Sequence, residues 1–397
     1  MTKDKIIHGA IPALLMHLSI GSVYAWSVFV NPISDVLHKN ISLIQFAFSL
    51  AIFFLGMSAA FCGNIVERNI KKSSLISVIF FCIGLLIAGL SIEIKSLLLL
   101  YIGYGVLMGI GLGVGYLTPC KTLMLWFKEN KGLSMGLSVM GFGFASTIAS
   151  PLITYLINKF NVSTAFMLLS IIYFVPMILS LILIKKPIEA QKKDQENTGF
   201  KYKNILTNQT FIILWILLFI NIHCGLSIIS SASPIMQEFG ATLFIATTAV
   251  SIMGIFNGLG RIILATISDR LKSRDNILLI IFCSSIICTL LLSYTNNYYI
   301  MILCLCIIAS MYGAGFSTIA PILSDHFGMS NISKIHGAIL SAWGIAGLTG
   351  NQMTSLIYNL TCSYNTVIYI NGLLYIVGLF ILLYFLKKNK IFVVKKY

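Results

Sequence analysis

The sequence predicts an all-α membrane protein with twelve transmembrane helices, arranged as two pseudo-symmetric six-helix bundles. Three observations predict it. The 397 residues are 58% hydrophobic and only 10% charged, with a mean hydropathy of +0.93; a soluble chain carries about 25% charged residues. The apolar runs are long enough for spanning helices and lack the alternation of a barrel strand. The basic residues fall on alternate connections, and landmarks of the first half recur in the second at one offset.

The spans are expected at 9–31, 43–64, 75–92, 97–119, 132–158, 164–184, 210–232, 245–267, 276–295, 298–320, 336–358 and 366–386. Met1–Ile7 is too short for a separate signal peptide, so the first apolar run is expected to be retained. The longest polar stretch follows the sixth span and includes residues 191–198 (QKKDQENT). Its composition is that of a flexible linker. The expected division is therefore 1–184, a bundle; 185–209, a cytoplasmic linker; and 210–397, a second bundle with a basic cytoplasmic tail.

Charge sets the expected orientation. Of the 27 Lys and Arg, only Lys39, Lys95 and Lys159 fall on one set of connections, and Arg261 lies within a span. The remaining 23 lie at the termini and on the other set, which the positive-inside rule places in the cytoplasm. This distribution accounts for the net charge of +15 without a nucleic-acid partner. A multi-pass protein of the plasma (inner) membrane, working as a monomer, is expected. The nine Cys show no metal-ligand spacing and read as small packing residues.

The halves repeat. Gly111, Gly113 and Pro119 match Gly313, Gly315 and Pro321, each 202 residues on, and Pro32 matches Pro234. The turn from Gly63 to Lys72, with Glu67 and Arg68, matches Ala265 to Arg274, with Asp269 and Arg270. A parallel duplication of a six-helix unit is one of the standard transporter plans.

Arg261 is the one charge that falls deep in a span. It lies eight residues before Asp269, about 12 Å of helical rise, close to half of a ~30 Å hydrocarbon core. A charge there is costly and normally faces a partner or a water-filled path. An arginine that snorkels to the headgroups is the competing reading, but eight residues is far for a snorkel. Asn257 shares its face at i−4. His17, Tyr24 and Asn31 form one stripe in the first span; His223, Ser227 and Ser230 form another in the seventh. His17 and His223 are candidate proton or cavity residues, set against the commoner role of a bonded packing histidine. Trp343, Tyr116 and Tyr312 are candidate cavity walls. Lys121 is a candidate vestibule residue. No phosphate-binding loop, nucleophile elbow or metalloprotease helix is present, so no enzyme, cofactor or metal is expected.

The Gly63–Lys72 turn resembles the acidic-basic signature of the major facilitator superfamily, with Ile70 where that signature has its second glycine. The resemblance implies a cytoplasmic latch in which Glu67 and Asp269 pair across the halves, with Arg68 and Arg270 as basic neighbours. Four further stretches are Gly21–Phe29, Trp126–Gly143, Phe256–Arg261 and Gly337–Gly347. They resemble the oxalate/formate antiporter family, near the monocarboxylate transporters. That resemblance implies alternating access, a small organic anion as substrate, and carboxylate binding by Arg261. Asn257, Tyr24 and Trp343 are then expected beside it. Family members that exchange oxalate are understood to use a lysine in the eleventh helix; residues 336–358 contain no Lys or Arg. Monocarboxylates are therefore expected over oxalate, by antiport or proton symport. The alternatives are a facilitator for a zwitterionic metabolite and a non-transporting sensor.

The topology has a direct test. In an otherwise cysteine-free chain, Asn197→Cys is expected to resist an impermeant thiol reagent in intact cells and to react after permeabilisation. Labelling from outside would overturn the orientation.

Overall fold

A computed structural model of the chain describes residues 3–187, 202–329 and 331–394. The linker expected over 185–209 lies mostly outside the described residues. The spans are α1 (Lys3–Ala25, continued past Trp26 by Ser27–Leu37), α2 (Ile41–Arg68), α3 (Ile70–Glu93) and α4 (Leu97–Trp126). Next come α5 (Lys131–Lys159), α6 (Val162–Leu183), α7 (Gln209–Ser230), α8 (Leu243–Arg270) and α9 (Ile277–Tyr294). The last three are α10 (Tyr298–Phe327), α11 (Ile332–Ile339, then Ser341–Thr361) and α12 (Tyr364–Val394). Most run past the expected edges, because their charged ends continue as helix beyond the apolar core.

Eleven helices among the described residues are long and apolar enough to cross a membrane. The second segment of α11 is not among them. It carries Thr349, Asn351, Gln352 and Thr354. Three of these bond to α7: Thr349 to His223, Asn351 to Ser230 and Thr354 to Ser227. Its polarity is thus directed at a neighbouring helix rather than at lipid.

Both described ends share one face, called here the terminal face. Lys5 lies over the Phe127 ring at the end of α4. His8 Nδ1 bonds the Leu183 carbonyl at the end of α6, at 2.8 Å. Lys388 near the end of α12 donates to Gln209 at the start of α7.

The first six and last six helices meet mainly along two seams, α5 against α8 and α2 against α11. Each seam is closed at the terminal face by one acid. Asp269, ending α8, accepts from the backbone N–H of Gly132 and Leu133 at the start of α5, both at 2.9 Å. Glu67, ending α2, accepts from the backbone N–H of Ser333 at the start of α11, at 2.6 Å. Neither helix start has a side-chain cap of its own, at Asn130 or at Asn331. The caps come from the opposite set of six, and a carboxylate at a helix N-terminus meets both unpaired N–H groups and the positive end of the helix dipole. The two acids are 202 residues apart, so the duplication places the same device twice.

The basic partners differ from the sequence neighbours. Arg68 and Arg270 are exposed. Glu67 instead receives Lys121 Nζ. Asp269 receives Arg274, at 2.9 Å from Nη2. Arg274 also bonds Asp325 of α10, and Lys131 lies 3.4 Å from the same carboxylate. Helix geometry explains the change: the arginine next to each acid projects about 100° away around the helix.

The caps should hold this face shut. Charge-assisted bonds contribute about 1.5–3 kcal/mol, so Asp269→Asn is expected to raise opening roughly 10- to 100-fold. Maleimide labelling of Ala265→Cys, a buried seam position facing Gly132, reads this in membranes of an otherwise cysteine-free chain. An unchanged labelling rate would show that the cap does not hold the seam.

Candidate functional site

Arg261 is fully buried on α8, at 0% exposure, where α5 and α10 pack against it. Two glycines make room for it. A Cβ at Gly143 of α5 would stand 3.3 Å from Arg261 Nε, and one at Gly313 of α10 would stand 3.1 Å from Arg261 Cγ. Asn257, one turn back, accepts from Arg261 Nε at 2.9 Å. Its carbonyl oxygen is thus used to hold the guanidinium. Arg261 Nη1 makes a long contact of 3.5 Å to the Val139 carbonyl on α5. Nη2 has no partner, and no described acid forms an ion pair with the residue.

Aromatic rings from both sets of six helices surround the charge. The guanidinium carbon lies 5.7 Å from the centroid of Phe142 on α5 and 5.2 Å from that of Phe316 on α10. A cation over a ring face is attracted to it, and more strongly when water is excluded. Trp343 on α11 is fully buried and packs on Phe316 at 4.3 Å, Tyr116 at 5.4 Å and Phe142 at 5.6 Å. Leu340, where the two segments of α11 meet, lies just before it.

Tyr24 belongs to the 3-10 turn Gly21–Ala25 of α1. Its hydroxyl shares a hydrogen bond of 2.8 Å with the hydroxyl of Tyr312 on α10. Its ring stands edge-on to Phe142 at 5.2 Å, and it lies within electrostatic reach of Arg261. The structure therefore brings Arg261, Asn257, Tyr24 and Trp343 into one cluster.

The two candidate histidines separate. His17 is buried between α4 and α5, with Nδ1 on the Ser138 carbonyl and Nε2 3.2 Å from the Tyr116 carbonyl. Both partners only accept, whereas a neutral imidazole has one N–H to give. His17 also adjoins the rings of Tyr116 and Phe142, so it borders the cluster. His223 bonds Thr349 Oγ1 at 3.0 Å, meets Met353 Sδ at 3.3 Å and packs near Phe219. Those contacts lie on the α7–α11 side.

Sequence reasoning missed Phe142 and Phe316. Phe142 stands between Gly141 and Gly143, and Phe316 follows Gly315. An aromatic beside spanning-helix glycines was the available signal, though one shared with ordinary packing.

Known proteins resemble the whole assembly. A family profile described as the Major Facilitator Superfamily matches residues 13–351. An uncharacterised MFS-type transporter of Escherichia coli, YhjX, is 25% identical over 347 residues, covering 85% of each chain. The oxalate:formate antiporter of Oxalobacter formigenes is 24% identical, covering 87% of this chain and 82% of that protein. Monocarboxylate transporter 14 of Mus musculus is 21% identical, covering 92% and 87%. In fold, the proton:xylose symporter XylE superposes with a TM-score of 0.75 at 15% identity, covering 95% of this chain and 94% of that one. FucP in its outward conformation does so at 0.72 and 14%, covering 94% and 97%. The chain belongs to the major facilitator superfamily.

Proposed function

We propose that this chain is a secondary transporter of small carboxylates, monocarboxylates before oxalate, working by alternating access. The observation that carries the reading is Arg261: a buried guanidinium with one unpartnered nitrogen, in an aromatic cluster built from both sets of six helices. A carboxylate is the complementary ligand, because it supplies negative charge and acceptors for the planar fork. Two relatives are named for carboxylates, the oxalate:formate antiporter and monocarboxylate transporter 14. Asn257 orients the guanidinium, while Tyr24 and Trp343 shape and dry the site. Residues 1–184 and 210–397 act as the rocking halves, with the linker and both termini in the cytoplasm of a plasma-membrane protein. The terminal face is then the cytoplasmic one. Its closure by Glu67 and Asp269 is one end state of the cycle, with Arg68 and Arg270 as exposed neighbours of the latch.

Arg261→Gln is expected to abolish carboxylate uptake in proteoliposomes while leaving a folded protein, since a charge-assisted contact of about 1.5–3 kcal/mol is lost. Arg261→Lys should lose most activity, because an ammonium cannot reproduce the bidentate fork. Near-normal uptake by Arg261→Gln would make the arginine structural.

Valence follows from the same charge. One cation without an acidic partner balances a monoanion; a dianion would leave excess charge in a desolvated site. Formate, lactate or pyruvate should therefore outcompete oxalate for uptake, and a clear preference for oxalate would sink the argument. Coupling runs either by anion exchange or through a histidine. His17 is the candidate that borders the cluster; His223 lies to the side. If a histidine relays the proton, His17→Gln with His223→Gln should keep counterflow and lose pH-driven accumulation. Accumulation that survives both changes leaves no histidine relay.

A further inference from the structure

Away from the Arg261 cluster, the terminal face carries an open cleft where the α2–α3 turn meets the chain leaving α6. Its volume is ≈ 260 Å³, many times the ~30 Å³ that one water occupies in the liquid. Arg68, Lys71, Lys185 and Lys186 line it, and no acid is among its lining residues. Arg68, Lys71 and Lys185 form no ion pair among the described residues. Asn69 lies among them and caps α3, its Oδ1 accepting from the backbone N–H of Lys71 at 3.1 Å and of Lys72 at 3.0 Å. Its side-chain nitrogen is a further donor.

The cleft exists because α6 stops early. The helix ends at Leu183, and the chain turns extended at Ile184, with ψ at 126°. The Lys185 N–H then donates to the His8 carbonyl at 3.3 Å, and the Lys185 carbonyl accepts from Trp126 Nε1 at 2.9 Å. Lys186 Nζ donates to the Glu67 carbonyl at 2.9 Å. These bonds hold two adjacent lysines against the α2–α3 turn. The second half differs at the same place. Lys387 and Lys388 stand 202 residues on, but there α12 continues as helix to Val394.

Cations gathered in one place repel each other and favour an anion between them. The surroundings identify the kind of anion. Lys71 is followed on its own face of α3 by Leu75 and Ile79, both exposed. Helix α6 likewise exposes Leu179 and Ile182 just before its end. The two helices pack against each other, so apolar surface runs into the membrane directly from the cleft. A soluble anion gains nothing from that surface, whereas acyl chains cover it. We propose that the cleft binds the phosphate of an anionic phospholipid in the leaflet at the terminal face, with its acyl chains along α3 and α6. The phosphodiester oxygens accept from the basic side chains and from Asn69. A zwitterionic headgroup would bring its own ammonium among the cations and binds less well. The bound headgroup fastens the start of the segment that joins the two bundles to the α2–α3 turn. The inference does not depend on the carboxylate reading of Arg261.

The test is native mass spectrometry of the purified full-length protein in a neutral detergent, titrated with phosphatidylglycerol or with phosphatidylcholine of the same acyl chains. Each cation beside an anionic lipid is worth about fivefold in affinity. The first phosphatidylglycerol should therefore bind at least about tenfold more tightly than the first phosphatidylcholine. Lys71→Gln with Lys185→Gln should weaken phosphatidylglycerol about 25-fold, and Arg68→Gln alone about fivefold, with phosphatidylcholine unchanged. Lys272→Gln with Lys387→Gln removes as much charge from the second half and should leave the first phosphatidylglycerol in place. Inorganic phosphate at the lipid's concentration should not displace it. Equal affinity for the two lipids, or undiminished phosphatidylglycerol binding by the Lys71 and Lys185 variant, overturns the site. Equal losses in the two double variants overturn it too, since they report only a basic face. Displacement by inorganic phosphate overturns the lipid as ligand in favour of the free anion.

Discussion

A guanidinium with no acidic partner among the described residues, fully buried on α8, is the constraint on which the centre of this protein turns. Removing an ion from water costs several kcal/mol even after the surroundings relax. The fold meets part of that cost with Asn257, the Val139 carbonyl and two ring faces. Gly143 and Gly313 omit the carbons that would crowd the side chain. What remains is one unpartnered nitrogen.

The second constraint acts at the terminal face. Helices α5 and α11 begin without side-chain caps of their own, and their first N–H groups are met by acids from the opposite set of six. A helix start left uncapped in a buried setting is unfavourable, so separating the seams exposes a cost at both helix starts at once. That makes closure a property of two bodies meeting rather than of either alone. Glu67 and Asp269 stand at one repeated position, so the same kind of contact serves both seams.

The parts of this design that were legible in the sequence are those that violate the rules of a lipid environment. Arg261 stood out because a deep charge is expensive, and Asn257 because i−4 spacing fixes its face. Glu67 and Asp269 were marked by the 202-residue repeat. What could not be read was which atoms meet across helices. The residue next to an acid in sequence points elsewhere on the helix, so Arg68 and Arg270 are exposed while Lys121 and Arg274 make the pairs. Phe142 and Phe316 were hidden because a phenylalanine facing a charge and one facing lipid look alike in a hydrophobic run. The polarity of α11 became intelligible only once its partners on α7 were known.

The Arg261 cluster and the Asp269 cap are joined by one helix. Asn257 and Arg261 are one turn apart on α8, and Asp269 ends the same helix eight residues on. Helix α5 follows α8 along this length: Gly143 approaches Gly258, Gly136 approaches the Arg261 carbonyl, and Gly132 donates to Asp269. The distance from charge to cap is about 12 Å of continuous helix, too short and too regular to bend freely. A tilt of α5 against α8 that breaks the Asp269 cap must therefore also change the packing around Arg261. On the proposed carboxylate reading, coupling of this kind is reciprocal: whatever an anion at Arg261 contributes to one arrangement of the seam, that arrangement returns as affinity for the anion. On that proposed reading, the bound ion enters the energy of the seam through a single side chain, and the motion of the two halves then depends on the cargo.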